Sequence, residues 1–214
     1  MAASFSNAAG ARIVLDLVAA IQAQKQYLSD IDGLIGDGDH GINMNKGFTL
    51  CAEALQAQPG DLTHSLGTLS KILMLKIGGS MGPLYGMFFK AMAGATAGVE
   101  TLDAATFGRM LTAAREAIQK LSPAKPGDKT LMDVLVPATD SYQAALAAGK
   151  PFAECLDAMA QAAEQGRDAT KDMLAKLGRS SRLGERSRGV IDTGAASCCL
   201  ILQTAANSIK GLLQ

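Results

Sequence analysis

Apolar residues recur along this chain at mixed spacings of three and four, the signature of one buried helix face after another. Ile13, Leu15, Leu17, Val18 and Ile21 open the first stripe, and Met44, Phe48, Leu50, Cys51 and Leu55 form the second, which Pro59-Gly60 ends. Asp61 is placed to cap a third helix through Leu62, Leu66, Leu69, Leu73 and Leu75. The break at Gly78-Gly79-Ser80-Met81-Gly82-Pro83 separates it from a fourth, which restarts over Leu84 to Met92. Asp103 caps a fifth through Phe107, Met110, Leu111, Ile118 and Leu121, and the sixth takes Leu131 to Leu146. Pro151 suits the first position of a seventh, carrying Phe152, Leu156, Met159, Ala163, Met173 and Leu177. A last apolar helix spans residues 193 to 212. No strand alternation, internal repeat or linker interrupts the series. The pattern predicts an all-α fold, a single domain over residues 1–214 built as a bundle of eight antiparallel helices.

Composition sharpens that picture. Aromatic residues make up only 4% of the chain and Trp is absent, while Ala and Leu dominate, which favours close helix packing over sheets. Twenty Lys and Arg balance twenty Asp and Glu, so no general attraction to nucleic acid or to a membrane surface is implied. The first residues lack a basic start followed by an unbroken apolar run, and no stretch approaches the roughly 20 apolar residues that span a bilayer. Cys51, Cys155, Cys198 and Cys199 fall in no zinc spacing and read as small buried hydrophobes. A reduced, cytoplasmic protein is expected.

An up-and-down bundle sorts its loops into two sets. Those after the odd helices contain LSDIDGLIGDGDHG, KIGGSMGP, SPAKPGDK and GRSSRLGERSRGVIDTG, whereas the even ones, around PGD, GVETLD and AAGK, are short and chemically plain. Every glycine-rich and charged motif is therefore expected at the same end.

Asp32, Asp37 and Asp39 place three carboxylates within eight residues on a glycine-rich turn, where they repel one another unless a cation intervenes. Hard oxygen donors without His or Cys at zinc spacing favour Mg²⁺ or Ca²⁺. A calcium loop starting at Asp37 would need Gly where Ile42 stands and Glu where Phe48 stands. Mg²⁺, which completes its shell with water and phosphate oxygens, suits this turn. The plain alternative is a solvated acidic turn. Gly36, Gly38 and Gly41 leave backbone N–H groups free for phosphate, and a helix starting near Gly41 adds a favourable dipole. His40 at this junction either touches phosphate or ribose, or caps the helix.

The remaining signals are weaker alone. GGSMGP resembles a phosphate-binding turn, but neither a P-loop nor a strand-borne GxGxxG is present. Among Arg179, Arg182, Arg186 and Arg188, Arg179 is the best placed for bidentate phosphate contact. Asp192-Thr193-Gly194 opens the last helix as an N-cap. No Ser/His/Asp or Cys/His set can be assembled, since His64 falls in mid-helix by pattern. The chain reads as able to hold and polarise a nucleotide without holding its acceptor.

In order along the chain, IDGLIGDGDHGINMNKGF, GGSMGPLYG, PGDKTLMDVLVP and GRSSRLGERSRGVIDTGA resemble the motifs of the nucleotide-binding L subunit of dihydroxyacetone kinases. The resemblance covers essentially the whole chain. It implies an eight-helix antiparallel barrel with ADP or ATP and two Mg²⁺ at one mouth, and Asp32, Asp37 and Asp39 as the metal ligands. It also implies that His40, Gly41 and Asn43 lie along the nucleotide and that Ser80 and Met81 meet phosphate and ribose. Ser122 and Leu131 would border the adenine, and Arg179, Asp192, Thr193 and Gly194 would close the site. Three positions depart from the family: Met81 where Ser is common, Ser122 where Gly is, and Thr193 where Pro is.

The implied activity is phosphoryl transfer to a short-chain ketose held covalently by a histidine of a separate K subunit. Two versions stay open. In one, ADP is a bound cofactor rephosphorylated by a subunit of the phosphoenolpyruvate-dependent phosphotransferase system. In the other, ATP exchanges as substrate in a two-subunit kinase of dihydroxyacetone or erythrulose. A fatty-acid kinase would carry GDGDTG, with Thr in place of His40. From another class, the chain would be a nucleotide-sensing module that engages a transcription regulator; its balanced charge argues against direct DNA contact. A homodimer is also left open.

Overall fold

The computed structural model describes residues 3–214. Among them are eight α-helices: α1 (Asn7–Ile35), α2 (His40–Ala57), α3 (Leu62–Lys76), α4 (Met81–Ala95), α5 (Ala104–Leu121), α6 (Met132–Ala147), α7 (Phe152–Ala169) and α8 (Thr193–Lys210). Each packs against its neighbour in sequence, and α8 returns to pack on α1, so the antiparallel series closes into a barrel. Three of the caps are the ones the sequence offered. Asp61, Asp103 and Asp192 accept the N–H groups of His64, Thr106 and Ala195, each at 2.8 Å. Ser6 does the same for Ala9.

The interior is filled rather than hollow. Phe48, Tyr85, Phe88, Phe89, Phe107 and Tyr142 are all buried, with Phe88 and Phe89 packed edge to face at 5.0 Å. Few aromatics suffice because nearly all of them are spent here. The four cysteines are free and buried, as their apolar settings imply. No helix among the described residues is long and apolar enough to cross a membrane.

Five local expectations are corrected. The sequence showed no strand, but β1 (Ser4–Ser6) pairs antiparallel with β2 (Thr101–Asp103). Three residues per strand are too few for alternation to register; Phe5 opposite Leu102, both buried, is the whole inward face. Helix α1 does not stop before the acidic motif but runs to Ile35, because Leu28 and Ile31 keep an apolar face on the core and Ile35 is buried beneath the cavity wall. Helix α7 ends at Ala169, so Met173 and Leu177 lie beyond it, after a 3-10 turn at Thr170–Asp172. The basic loop is itself coiled into a 3-10 segment, Arg179–Ser187, kinked at Gly184. His64 belongs to the first turn of α3 rather than its middle, with its ring Nε2 3.1 Å from the Gln58 carbonyl oxygen. Smaller differences are that Pro151 caps α7 rather than entering it and that α8 ends at Lys210.

Candidate functional site

The loops after α1, α3, α5 and α7 meet around one cavity of about 460 Å³, within the usual span for small-molecule sites, roughly 300–1,000 Å³. Asp32 enters it from the last turn of α1, Asp37 and Asp39 from the turn that follows, and His40 and Asn43 from the start of α2. Ser80 and Met81 come from the start of α4, Ser122 from the end of α5 and Leu131 from just before α6. Arg179 comes from the 3-10 segment, and Asp192, Thr193 and Gly194 from the start of α8. Gly41 is the one predicted site residue that does not line the cavity. It is buried one layer behind, where α2 crosses α1 so closely that a Cβ would overlap the Lys25 carbonyl oxygen. Its contribution is to let His40 and Asp39 reach the site.

Helical placement gives Asp32 a fixed direction. One oxygen accepts the His40 backbone N–H at 3.3 Å and the other lies 3.4 Å from the Thr193 hydroxyl, so Asp32 joins the starts of α2 and α8. Carboxylate oxygens of Asp32, Asp37 and Asp39 all fall within 4.8 Å of one another. Gly38, between two of them, takes φ +75°, a conformation that favours glycine and folds the turn tightly enough to bring the acids together. Asp39 precedes α2 but makes no capping bond, so its carboxylate is unspent. The Arg179 guanidinium is drawn onto Asp37 as an ion pair. Three hard carboxylates, no thiol and no imidazole nitrogen in the cluster are a donor set that fits a hard cation such as Mg²⁺.

His40 turns away from the acids. Its Nε2 is 3.0 Å from Ser197 Oγ, which is 2.7 Å from the Tyr85 hydroxyl. Burial pushes the imidazole down to about 4, against the pull of the Asp32 carboxylate, so at neutral pH it is an uncharged hydrogen-bonding group. Burial likewise raises Tyr85 and keeps it a phenol. Asp192 is pushed up to about 7 by burial, against the Ala195 N–H that it accepts. Neither Asp39 nor Ser80 caps the helix it precedes, and Asp32 takes only the first N–H of α2, so both starts border the cavity with backbone N–H groups left for an anion. Ile118, Leu131 and Leu177 supply apolar lining, suited to a planar base. Ser122 spends its hydroxyl on the Ala124 N–H at 3.2 Å.

Some functional residues escaped the sequence. Tyr85 and Ser197 orient His40 from α4 and α8, and nothing in their local pattern distinguishes them from core residues. Lys129 lines the cavity yet is only 1% exposed; its one signal was a lysine beside Asp128 in a turn next to apolar positions. No nucleophilic cysteine serves the site, since burial raises all four thiols.

A family model described as the DAK2 domain matches residues 34–207. The ADP-binding subunit DhaL of PEP-dependent dihydroxyacetone kinase 1 from Listeria innocua is 39% identical over 182 residues, covering 85% of this chain and 86% of that one. The ADP-binding subunit DhaL of the PEP-dependent dihydroxyacetone kinase of Escherichia coli is 36% identical, covering 87% of this chain and 90% of that one. Among solved structures, the dihydroxyacetone kinase of C. freundii in its native form superposes with a TM-score of 0.69 at 25% identity. That match covers 93% of this chain but 34% of the kinase, so the chain spans about a third of the solved enzyme.

Proposed function

This chain belongs to the DAK2-domain family, and from that premise we propose that it is the nucleotide-binding subunit of a dihydroxyacetone-type kinase. It would act as a single nucleotide-binding unit, presenting a phosphoryl donor to a short-chain ketose held on a separate K subunit. The observation that carries the reading is the convergence of Asp32, Asp37 and Asp39 with Arg179 and His40 on one cavity. ADP as a resident cofactor, rephosphorylated by a subunit of the phosphoenolpyruvate-dependent phosphotransferase system, is supported by relatives described as ADP-binding subunits of PEP-dependent kinases.

The residues divide the work. The three carboxylates would hold two Mg²⁺ between them and the phosphates; the metal, when bound, offsets the charge on the transferring phosphoryl oxygens. The uncapped starts of α2 and α4 offer N–H groups to the same phosphates. Arg179 can leave Asp37 for phosphate once a metal neutralises the cluster, because both contacts use the same planar fork. His40, kept neutral and oriented by Ser197 and Tyr85, donates or accepts a hydrogen bond without adding charge. Catalysis on this side is therefore positioning and electrostatics, and the deprotonating group belongs to the partner.

The mouth is built for such a partner. Leu34, Ile42, Leu75 and Leu121 are four of the six large exposed hydrophobic side chains among the described residues. All four stand at helix ends that lead into the loops of the cavity. An apolar rim around a polar site supports docking of the ketose-bearing subunit over the nucleotide.

Retained nucleotide tests the assignment. Purified protein dialysed in Mg²⁺ is expected to keep stoichiometric ADP and to pass phosphate to ketose only when the K subunit and a phosphorylated donor subunit are added. Loss of all nucleotide on dialysis, with turnover of free ATP, would replace the resident-ADP version with the exchanging-ATP one. Failure to bind either nucleotide would overturn both.

A further inference from the structure

The motif PGDKTLMD contributes Lys129 and Leu131 to the cavity lining, and the function proposed above gives its charged residues no role. Lys129 is the most unusual of them. Its backbone is left-handed, φ +61°, and it is the sole residue other than glycine with positive φ among the described residues. Such strain persists only where the surroundings impose it, and it gathers at functional sites. Its side chain is almost wholly buried, and the ion pairs of the described residues do not include it.

What Lys129 has instead is three backbone carbonyls. Nζ donates to Ser187 O at 2.6 Å, to Val190 O at 2.7 Å and to Met173 O at 3.3 Å. An ammonium has three protons, so every donor is used and a buried charge becomes tolerable. Burial lowers its pKa, with Asp192 pulling the other way. The acceptors are not scattered. Met173 lies at the beginning of the segment that leaves α7, and Ser187 and Val190 lie at its end, just before α8. Between them runs the 3-10 segment that carries Arg179.

The turn holding Lys129 is braced in its own right. Asp133 accepts the N–H groups of Gly127 and Thr130, the latter at 2.7 Å, and Asp128 accepts that of Lys125 at 3.0 Å. The ammonium is thus held on a rigid support and closes both roots of the loop at once.

We propose that Lys129 is a positioning residue whose ammonium ties together the two roots of the 173–190 loop and so fixes Arg179 over the nucleotide mouth. Its effect on nucleotide rests on the function proposed above; its effect on the loop does not. Without this strap, the roots would keep the Ala175 N–H bond to Ser187 Oγ and the Arg188 bond to Asp172 O. The path between them would lose its central anchor.

Trypsin reads the strap directly, because Arg179, Arg182 and Arg186 lie in the loop and are accessible. The full-length chain is compared as wild type, Lys129→Met and Lys129→Gly; the glycine variant retains the left-handed backbone and guards against a misfolded methionine variant. With helical circular dichroism unchanged and no nucleotide present, cleavage in the loop is expected to rise at least tenfold in both variants. Rates within twofold of wild type would overturn the proposal. The link to Arg179 is read by Mg²⁺-ADP affinity in Lys129→Met, Arg179→Ala and the double variant. About a tenfold loss is expected from Lys129→Met alone, and less than twofold further loss when Arg179 is already Ala. Losses that multiply would show that Lys129 acts by another route and overturn that link. If wild-type protein binds no Mg²⁺-ADP, the proposed function fails, while the trypsin rates still decide the strap.

Discussion

Replacing Asp39 with Asn separates a ligand-holding acid from a structural one, because its two effects have different sizes and different causes. In the metal-free protein, Asp39 lies within 4.8 Å of two other carboxylates. A like-charge pair at that distance costs about 0.9 kcal/mol in water and several times more if partly shielded from it. Removing the charge relieves this repulsion but also forfeits the attraction of a carboxylate to the start of α2, roughly 0.3–1 kcal/mol. No capping bond is lost, because none is made. Asp37 and Asp39 are exposed, so the water value applies; two such pairs amount to about 1.7 kcal/mol, and the metal-free protein is expected to gain about 1 kcal/mol rather than lose stability. For a domain of this size that is a shift of roughly 2–4 °C in Tm at most.

Binding should respond quite differently. At a hundredfold excess over Kd, Mg²⁺-ADP stabilises the wild type by about 2.7 kcal/mol, a rise of roughly 5–10 °C. Even indirect supports of a metal ligand are worth about 10–100-fold in metal affinity, so loss of a ligand charge should abolish that rise at the same nucleotide concentration. Differential scanning fluorimetry with and without Mg²⁺-ADP measures both numbers on one sample. A metal-free Tm lowered by many degrees would make Asp39 structural. An undiminished Mg²⁺-ADP shift would refute its place in the metal site.

Three further outcomes are expected. Leu34→Asp with Leu75→Glu should leave nucleotide retention and Tm unchanged, because both side chains are exposed. It should weaken association with the K subunit by about tenfold or more by titration calorimetry, since charges on an apolar rim must be desolvated on docking. Gly41→Ala should destabilise the fold by about 1–3 kcal/mol in urea and weaken nucleotide binding as well, because the new methyl pushes α2 off α1 and carries Asp39 and His40 with it. For Asp192, a carboxyl raised to about 7 in the fold from an ordinary value near 4 binds its proton more tightly folded than unfolded. Metal-free stability from this group is therefore fully present below about pH 4 and lost as pH rises toward 7. Asp192→Asn, which keeps the cap, should flatten that slope in urea midpoints between pH 4 and 8.

The helix series and the site differ in why they could be read. Helix faces are local: each needs only its own three- and four-residue spacing, and aspartates before α3, α5 and α8 set three of the starts. Alternation over three residues is too brief to announce a strand, so the Phe5–Leu102 pairing was invisible. The end of α1 was misplaced because Gly33, Asp32 and Asp37 look like a loop, while the force that keeps the helix intact through Asp32 is burial of Ile35 against distant residues. That error matters chemically, since a helical Asp32 is aimed and a loop one is not. The clustering of the three acids was legible because like charges so close in sequence need an explanation wherever they fold. Tyr85, Ser197 and Lys129 were not, because their roles depend on partners from 44 to 157 residues away.

The same distinction explains how the barrel divides labour between its two kinds of contact. The helices are held by burial that does not depend on the ligand, and that leaves the loop end free to carry unfavourable features. Crowded acids and a strained lysine lie at this mouth, whereas at the other end Asn7, Thr63 and Thr96 satisfy one another through hydrogen bonds. The acids at the mouth are crowded by like charge, and Arg179 pairs with only one of them; in the function proposed above, a magnesium nucleotide would supply the counterpart to the acids and to the free N–H groups together. Lys129 is the exception that completes the logic. Its ammonium donates to three backbone carbonyls of the chain itself, so in the proposed arrangement it holds the loop that carries Arg179 whether or not a ligand is bound.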